Sequence, residues 1–296
     1  MFKLKAFLPS QKKFIYVKEL NYKTYRNLVK SLYVGDKLKT IELFNFILQE
    51  IIEVKELVNL TIIDKLAIFL TIREVCVSPD LNLKCTCPDS NASFNYQTAI
   101  NDIQKTLDEL ITEVTVKTDN LTTKHSLFTG IKDETILLTE NNSEDLCASI
   151  TEIITEKIIK LDSYKFDEKK IIIEHLPASH LLQARLQIAQ AKKHNSEKNL
   201  IKIVSPHTSK TIYKITGNID STALCELLEY LFIEELNNVY KAMYNVVTHC
   251  KFSAEYVDSI TPAEIQVYWN YFLEENKKNT NTKNNPKTEH NTEFGF

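Results

Sequence analysis

Glycine is almost missing from this chain, with four residues in 296 (Gly35, Gly130, Gly217, Gly295) against a usual share of roughly 7%. That scarcity excludes most cofactor loops. Dinucleotide and phosphate loops need several glycines close together, so that backbone N–H groups can approach the phosphate. Arginine is nearly as rare. Arg26, Arg73 and Arg185 are the only three, and lysine supplies the other basic residues. Bidentate recognition of phosphate or guanine needs the planar guanidinium fork, so that chemistry is also disfavoured. A lysine-, asparagine- and isoleucine-rich chain with little arginine points to an AT-rich genome. The net charge is −3 and the pI about 6.2, which leaves no global basic footprint for nucleic acid. The longest apolar runs, such as Leu66–Ile72, fall far short of the ~20 residues that span a bilayer. The N-terminus has no signal-peptide pattern. The six cysteines are scattered, which argues against a disulfide framework and for synthesis in a cytosol.

What the chain does have is amphipathic patterning. Phe2–Leu8 and Phe14–Leu20 alternate apolar and polar residues around Pro9-Ser10-Gln11-Lys12, which is a hairpin signal. Asn21 can cap a helix over about Lys23–Leu32. Ile41, Phe44, Leu48 and Ile51 form one face of a second helix, and Thr61 can cap a buried third over about Ile63–Val75. A hairpin with Cys85 and Cys87 follows, then a helix over Thr98–Thr112. Val114–Thr139 reads as loops and short strands, Glu144–Leu161 and Ser179–Lys193 as helices, and Ile201–Gly217 as another hairpin. One long helix is expected from Asp220 or Ser221 to beyond Val246. Thr261, Pro262 and Glu264 then give a capping-box start for a last helix, with Ile265, Tyr268, Trp269 and Phe272 on its apolar face. No repeat of fixed period is visible. The fold class is α+β, mostly helical, with short antiparallel hairpins near the N-terminus and in the middle. The expected divisions are 1–113, an α+β middle at 114–219, C-terminal helices at 220–275 and a polar, disordered tail at 276–296.

The candidates for chemistry are few. Cys76, Cys85 and Cys87 are the only clustered soft ligands. A structural zinc site needs four ligands, usually from two CxxC-like pairs, whereas this pair is CxC and the nearest histidine in sequence is His125. Strand alternation puts Cys85 and Cys87 on one face, where both can be buried as small hydrophobes. His175, His180, His194, His207 and His249 stand in no catalytic motif, and no serine elbow, HExxH, phosphate loop or EF-hand loop occurs. No cofactor or small-molecule substrate is implied. The interaction candidates are Tyr268, Trp269 and Phe272, with Phe294 and Phe296 in a closing docking peptide.

Three stretches carry a family resemblance. The opening LPSQKKFIYVKELNYKTYRNLVKSL resembles the start of the T4-type phage baseplate proteins, the hub and hub-assembly group of contractile tails. The passage KLAIFLTIREVCV…LNLKCTCPDSNASFNYQTAINDI is similar to that family's helix, strand and cysteine-bearing hairpin. ELLEYLFIEELNNVYKAMYNVV…ITPAEIQVYWNYFLEEN resembles its closing helices. The likeness is strongest over about 1–105 and 175–275, and the CxC spacing departs from the family's usual paired cysteines. The resemblance implies a non-enzymatic phage tail protein of baseplate hub assembly. Its partners would be other tail and baseplate proteins, with neither membrane nor nucleic acid involved. It would be found in the host cytoplasm during assembly and in the virion tail. The alternative is a zinc-stabilised module for single-stranded nucleic acid, resting on Cys76, Cys85, Cys87 and the aromatic-rich strands.

Overall fold

The computed structural model describes residues 3–34, 37–53, 60–128, 145–161, 163–234 and 236–283. They form an α+β chain, mostly helical, with antiparallel hairpins and a helical C-terminal part. Strands β1 (Lys3–Leu8) and β2 (Lys13–Lys18) pair as the first hairpin. Helix α1 (Tyr22–Val34) follows, with Asn21 Oδ1 accepting from Thr24 N at 2.9 Å as the expected cap. Helices α2 (Lys37–Ile51) and α3 (Ile62–Ile72) come next.

Helix α3 is the axis of the first core, and its residues Ile62–Leu70 are all buried. Thr61 and Asp64 form a capping box at its start. Asp64 also accepts from Ser10 N at 3.0 Å and from the Ser10 hydroxyl, so one carboxylate caps α3 and ties down the turn of the first hairpin. A π-helical turn, Arg73–Val77, ends the helix earlier than the apolar pattern suggests.

The cysteine hairpin is β3 (Asp80–Thr86) with β4 (Ser93–Ala99), which runs directly into α4 (Ile100–Asp108). The helix expected over Thr98–Thr112 is therefore shorter at both ends. Thr98 and Ala99 pair with Leu81 and Asp80 in the strand ladder, and that pairing outweighs the helix preference of Ala99.

A four-stranded antiparallel sheet follows: β5 (Glu113–Thr118), β6 (Leu121–Ser126), β7 (Ile150–Ile154) and β8 (Ile158–Lys160), in that order. The helix expected over Glu144–Leu161 is corrected. Only α5 (Asp145–Ser149) is helical there, and the chain then becomes β7 and β8. The run ITEII is mostly β-branched, and its Ile150–Ile154 ladder partner is β6. Helices α6 (Phe166–Glu174) and α7 (Ala178–Glu197) cover this sheet and build a second core around Val116, Ile150, Ala184 and Ile188.

Strands β9 (Asn199–Val204) and β10 (Thr211–Thr216) are the expected third hairpin. The long helix expected beyond Ser221 is two helices, α8 (Ser221–Phe232) and α9 (Leu236–His249). A side chain distant in sequence ends the first. Arg73 Nε donates to Leu231 O at 2.6 Å, satisfying a helix-end carbonyl with a cation. Helices α10 (Ala254–Ser259) and α11 (Pro262–Lys283) complete the described chain.

The three hairpins share one turn. Each opens X-Pro, as Leu8-Pro9, Cys87-Pro88 and Ser205-Pro206, and each places its fourth loop residue at positive φ: Lys12 at 50°, Asn91 at 53° and Ser209 at 54°. The spacing between the prolines differs, so no fixed period betrays the repeat. The second and third tips meet, with Lys210 Nζ 2.7 Å from Asp89 Oδ2.

Asn195, at the end of α7, joins the two cores. Its side chain accepts from Ile111 N and donates to Ile111 O, both at 2.9 Å. Gly217 N–H donates to Asn195 O at 3.1 Å. A Cβ at position 217 would lie 2.8 Å from the backbone oxygen of Asn195 as well as against the Leu110 side chain, so glycine suits this joint.

Candidate interaction surface

Helices α9, α10 and α11 carry a band of aromatic side chains. The capping box forms as the sequence indicates, with Thr261 N donating to Glu264 Oε2 at 2.7 Å and Glu264 N to Thr261 Oγ1 at 3.2 Å. Pro262 occupies the first helical turn. From that start, Ile265, Tyr268, Trp269 and Phe272 fall on one face at spacings of 3, 1 and 3 and turn toward α9. Ile265 is buried, whereas the three aromatics are half-buried.

Two ring clusters flank that face. Trp269 stacks on Phe272 with centroids 5.2 Å apart, and His249 lies 5.7 Å from Trp269 and 5.5 Å from Phe272. Tyr244 meets the same imidazole edge-on at 6.4 Å. On the other side, Phe252 packs against Tyr268 at 4.9 Å and Tyr256 at 5.1 Å. The Tyr256 hydroxyl beside that of Tyr268 raises the latter's pKa. Around both clusters, Tyr244 is 63% exposed and Tyr271 61%. Aromatic rings are enriched at the centres of protein interfaces.

Helix α1 anchors the band. Tyr22 N donates to Ile260 O at 2.7 Å, and Arg26 pairs with Asp258 at 2.9 Å. Asp258 Oδ1 is within ion-pair distance of Arg26 but poorly aligned for a hydrogen bond, so that contact counts as electrostatic. The sequence pattern marked Tyr268, Trp269 and Phe272. It missed Tyr244, Phe252 and the role of His249, which come from outside α11, and Tyr271, which lies beside the Tyr268 edge of the face. The i,i+4 pair Tyr240–Tyr244, off the Val239/Val246 face, was the available signal. Phe294 and Phe296 lie outside the described residues.

The cysteines are held apart. Cys76 sits in the π turn, buried, with Leu20 N donating to its Sγ at 3.4 Å, and burial raises its pKa to about 11. Cys85 is half-buried on the hairpin, 3.8 Å from Leu83 O. Cys87 opens the turn. Hydroxyls of Ser205 and Ser90, helped by backbone N–H groups of Ser90 and Asp89, lower its pKa to about 6. Cys87 is buried, and desolvation opposes the shift, but by less than either hydroxyl lowers it. His207, remote in sequence, comes beside this hairpin through an edge contact with Phe94 at 6.2 Å. Among the described residues, no three His, Cys, Asp or Glu side chains converge as metal ligands would. No described helix is long and apolar enough to cross a membrane.

The buried polar chemistry is concentrated in the second core. Thr118 Oγ1 lies 3.0 Å from His180 Nδ1, and Thr123 Oγ1 lies 2.8 Å from His180 Nε2 and 2.9 Å from His125 Nε2. His125 Nδ1 then meets Ser149 Oγ at 3.1 Å. Burial lowers the pKa of both rings, that of His125 to about 4, and the neighbouring His180 adds to the effect on His125. These neutral rings are walled in by strands and α7, so the chain serves as internal bracing.

Hairpins and helices built around two cores, with a half-exposed aromatic band on α9–α11, define an α+β protein with a surface suited to protein contact. The chain belongs to the T4 bacteriophage base plate protein family, whose model matches residues 1–220. The match takes in the second core and most of the first, and stops before α8. Comparison with curated proteins and with solved structures finds no match for the chain.

Proposed function

We propose that this base plate protein acts without catalysis in assembly of the baseplate hub, as a hub subunit or a transient assembly factor. It binds other tail proteins of a contractile phage, in the host cytoplasm during assembly and in the tail baseplate of the virion. The aromatic band on the C-terminal part, residues 220–275, is the docking element, and Tyr268, Trp269 and Phe272 are its half-buried anchors. Phe294 and Phe296 form an accessory docking peptide.

The observation that supports this reading most is the exposure of Tyr244 and Tyr271 around a stacked Trp269–Phe272 pair. Rings left this open contribute little to the fold and much to a complex that desolvates them. The experiment is affinity capture of the tagged chain from cells infected with the phage that encodes it. Recovery of hub proteins with the chain is expected, and mass spectrometry of purified virions then separates subunit from assembly factor. Absence from both preparations would overturn the reading.

A further inference from the structure

The solvent face of the first hairpin has a chemistry that the aromatic band lacks. Residues 3–18 hold Lys3, Lys5, Lys12, Lys13 and Lys18 and no Asp or Glu, in a chain whose net charge is −3. Alternation sends Ala6, Leu8, Ile15 and Val17 into the core. The outward rank is then fixed by register: Lys3 opposite Lys18, Lys5 opposite Tyr16, Phe7 opposite Phe14.

This face is graded along its length. Lys3 and Lys18 are like charges directly opposite each other, an arrangement that costs stability in an isolated sheet. Lys5 Nζ lies 4.3 Å over the Phe14 ring, and Phe14 packs on Phe7 at 5.1 Å. Phe14 remains 56% exposed and Tyr16 64%. Beside the aromatic end lies a cavity of about 280 Å3, whose lining includes Phe7, Phe14 and Val75 and the charged side chains of Lys5, Glu74 and Asp108.

We propose that this face docks an extended acidic segment of a partner protein. The segment sets carboxylates over Lys3, Lys18 and Lys5 and an apolar side chain over Phe7 and Phe14. The direction follows from charge. Glu74 and Asp108 make the aromatic end less favourable to carboxylates, with Lys12 offsetting Asp108, whereas the Lys3–Lys18 pair stands unopposed by any carboxylate of the hairpin and attracts them at the open end. The outward positions recur every second residue, so an extended partner matches them with the pattern Glu-x-Glu-x-Phe. Nucleic acid fits less well. The hairpin has no guanidinium fork, its cations span only a few residues, and Glu74 and Asp108 disfavour a continuing phosphate backbone. The inference rests on the assembly reading only for where the partner is found.

The test uses the purified full chain and fluorescence anisotropy. The probes are a labelled Glu-Thr-Glu-Thr-Phe peptide, the rearranged peptide Glu-Thr-Phe-Thr-Glu, which cannot regain the match by running backwards, and a short oligothymidylate. The ordered peptide is expected to bind at least tenfold tighter than either control and to weaken as salt rises. The double variant Lys3→Glu, Lys18→Glu, at two exposed positions, should lose that binding at least tenfold while keeping the wild-type melting temperature. Equal binding of the two peptide orders, tighter binding of the oligonucleotide, or an unaffected double variant would overturn the proposal. None of these outcomes depends on recovering hub proteins, so the assembly reading stands or falls separately.

Discussion

At the scale of single residues, the buried histidine chain sets a pH limit on this protein. Hydrogen-bond links run from Leu121 O through Thr118, His180, Thr123, His125 and Ser149 to Leu146 O. While both rings are neutral, each of these five side chains brings one proton, so one of the six links stays empty. One added proton would fill it and gain about 1 kcal/mol. Burying the resulting charge costs more. Holding His125 at about 4 instead of 6.5 corresponds to about 3 kcal/mol, so the rings stay neutral at pH 7. Because the folded state binds this proton less readily than the unfolded chain, stability is full above pH 6.5 and falls as the pH drops toward 4. Urea unfolding between pH 6.5 and 5 should show a loss approaching 1.4 kcal/mol per pH unit from His125 alone. A His125→Gln variant should flatten that slope.

Arg73 is the other residue on which much depends. It donates to Leu231 O at 2.6 Å, Ser78 O at 2.6 Å and Asp80 O at 3.2 Å, tying α8, the π turn and β3 together. Burial lowers its pKa, yet an arginine at this position stays charged. Replacement by methionine leaves three carbonyls without their donor. The expected loss is about 3 kcal/mol or more, read from chemical denaturation. Lysine should not restore it, since one ammonium cannot reproduce the fork.

At the scale of elements, the shared hairpin turn is the recurring device. Proline sets the first loop residue, and the fourth adopts a left-handed conformation that suits asparagine or glycine better than serine. Ser209→Gly should therefore raise stability by up to about 1 kcal/mol, whereas Asn91→Gly should change it little. The comparison of urea midpoints checks this directly. The first and third hairpins and the caps at Asn21, Thr61 and Thr261 were legible in the sequence because local chemistry decides them. The end of α8 and the β7–β8 strands were not. Arg73 sets one from 158 residues away, and pairing with β6 sets the other. The candidate surface divides in the same way. Tyr268, Trp269 and Phe272 share one helix face and could be read from spacing. Their partners His249 and Tyr244 approach from α9, which no local pattern discloses.

At the scale of the whole molecule, the limit of the family match and the limit of the core do not coincide. The match ends at residue 220, yet Leu224, Leu227, Leu228, Leu231 and Phe232 lie in the first core. Phe232 packs edge-on to Phe69 at 6.1 Å, so α8 completes the scaffold that the matched region begins. Helices α9–α11 also enter this core, through Val239, Val246, Val257 and Ile265, while their outer faces carry the open rings. The inner faces of these helices complete the scaffold, and the outer faces are the proposed docking element.

Affinity capture from infected cells, comparing the wild-type chain with the double variant Tyr244→Asp, Tyr271→Asp, tests this division most directly. Both side chains are largely exposed, so the variant should fold and melt as the wild type does. The wild-type chain is expected to bring down baseplate hub proteins, and the variant to recover at least tenfold less. Equal recovery by a folded variant would contradict the claim that the aromatic band is the docking element.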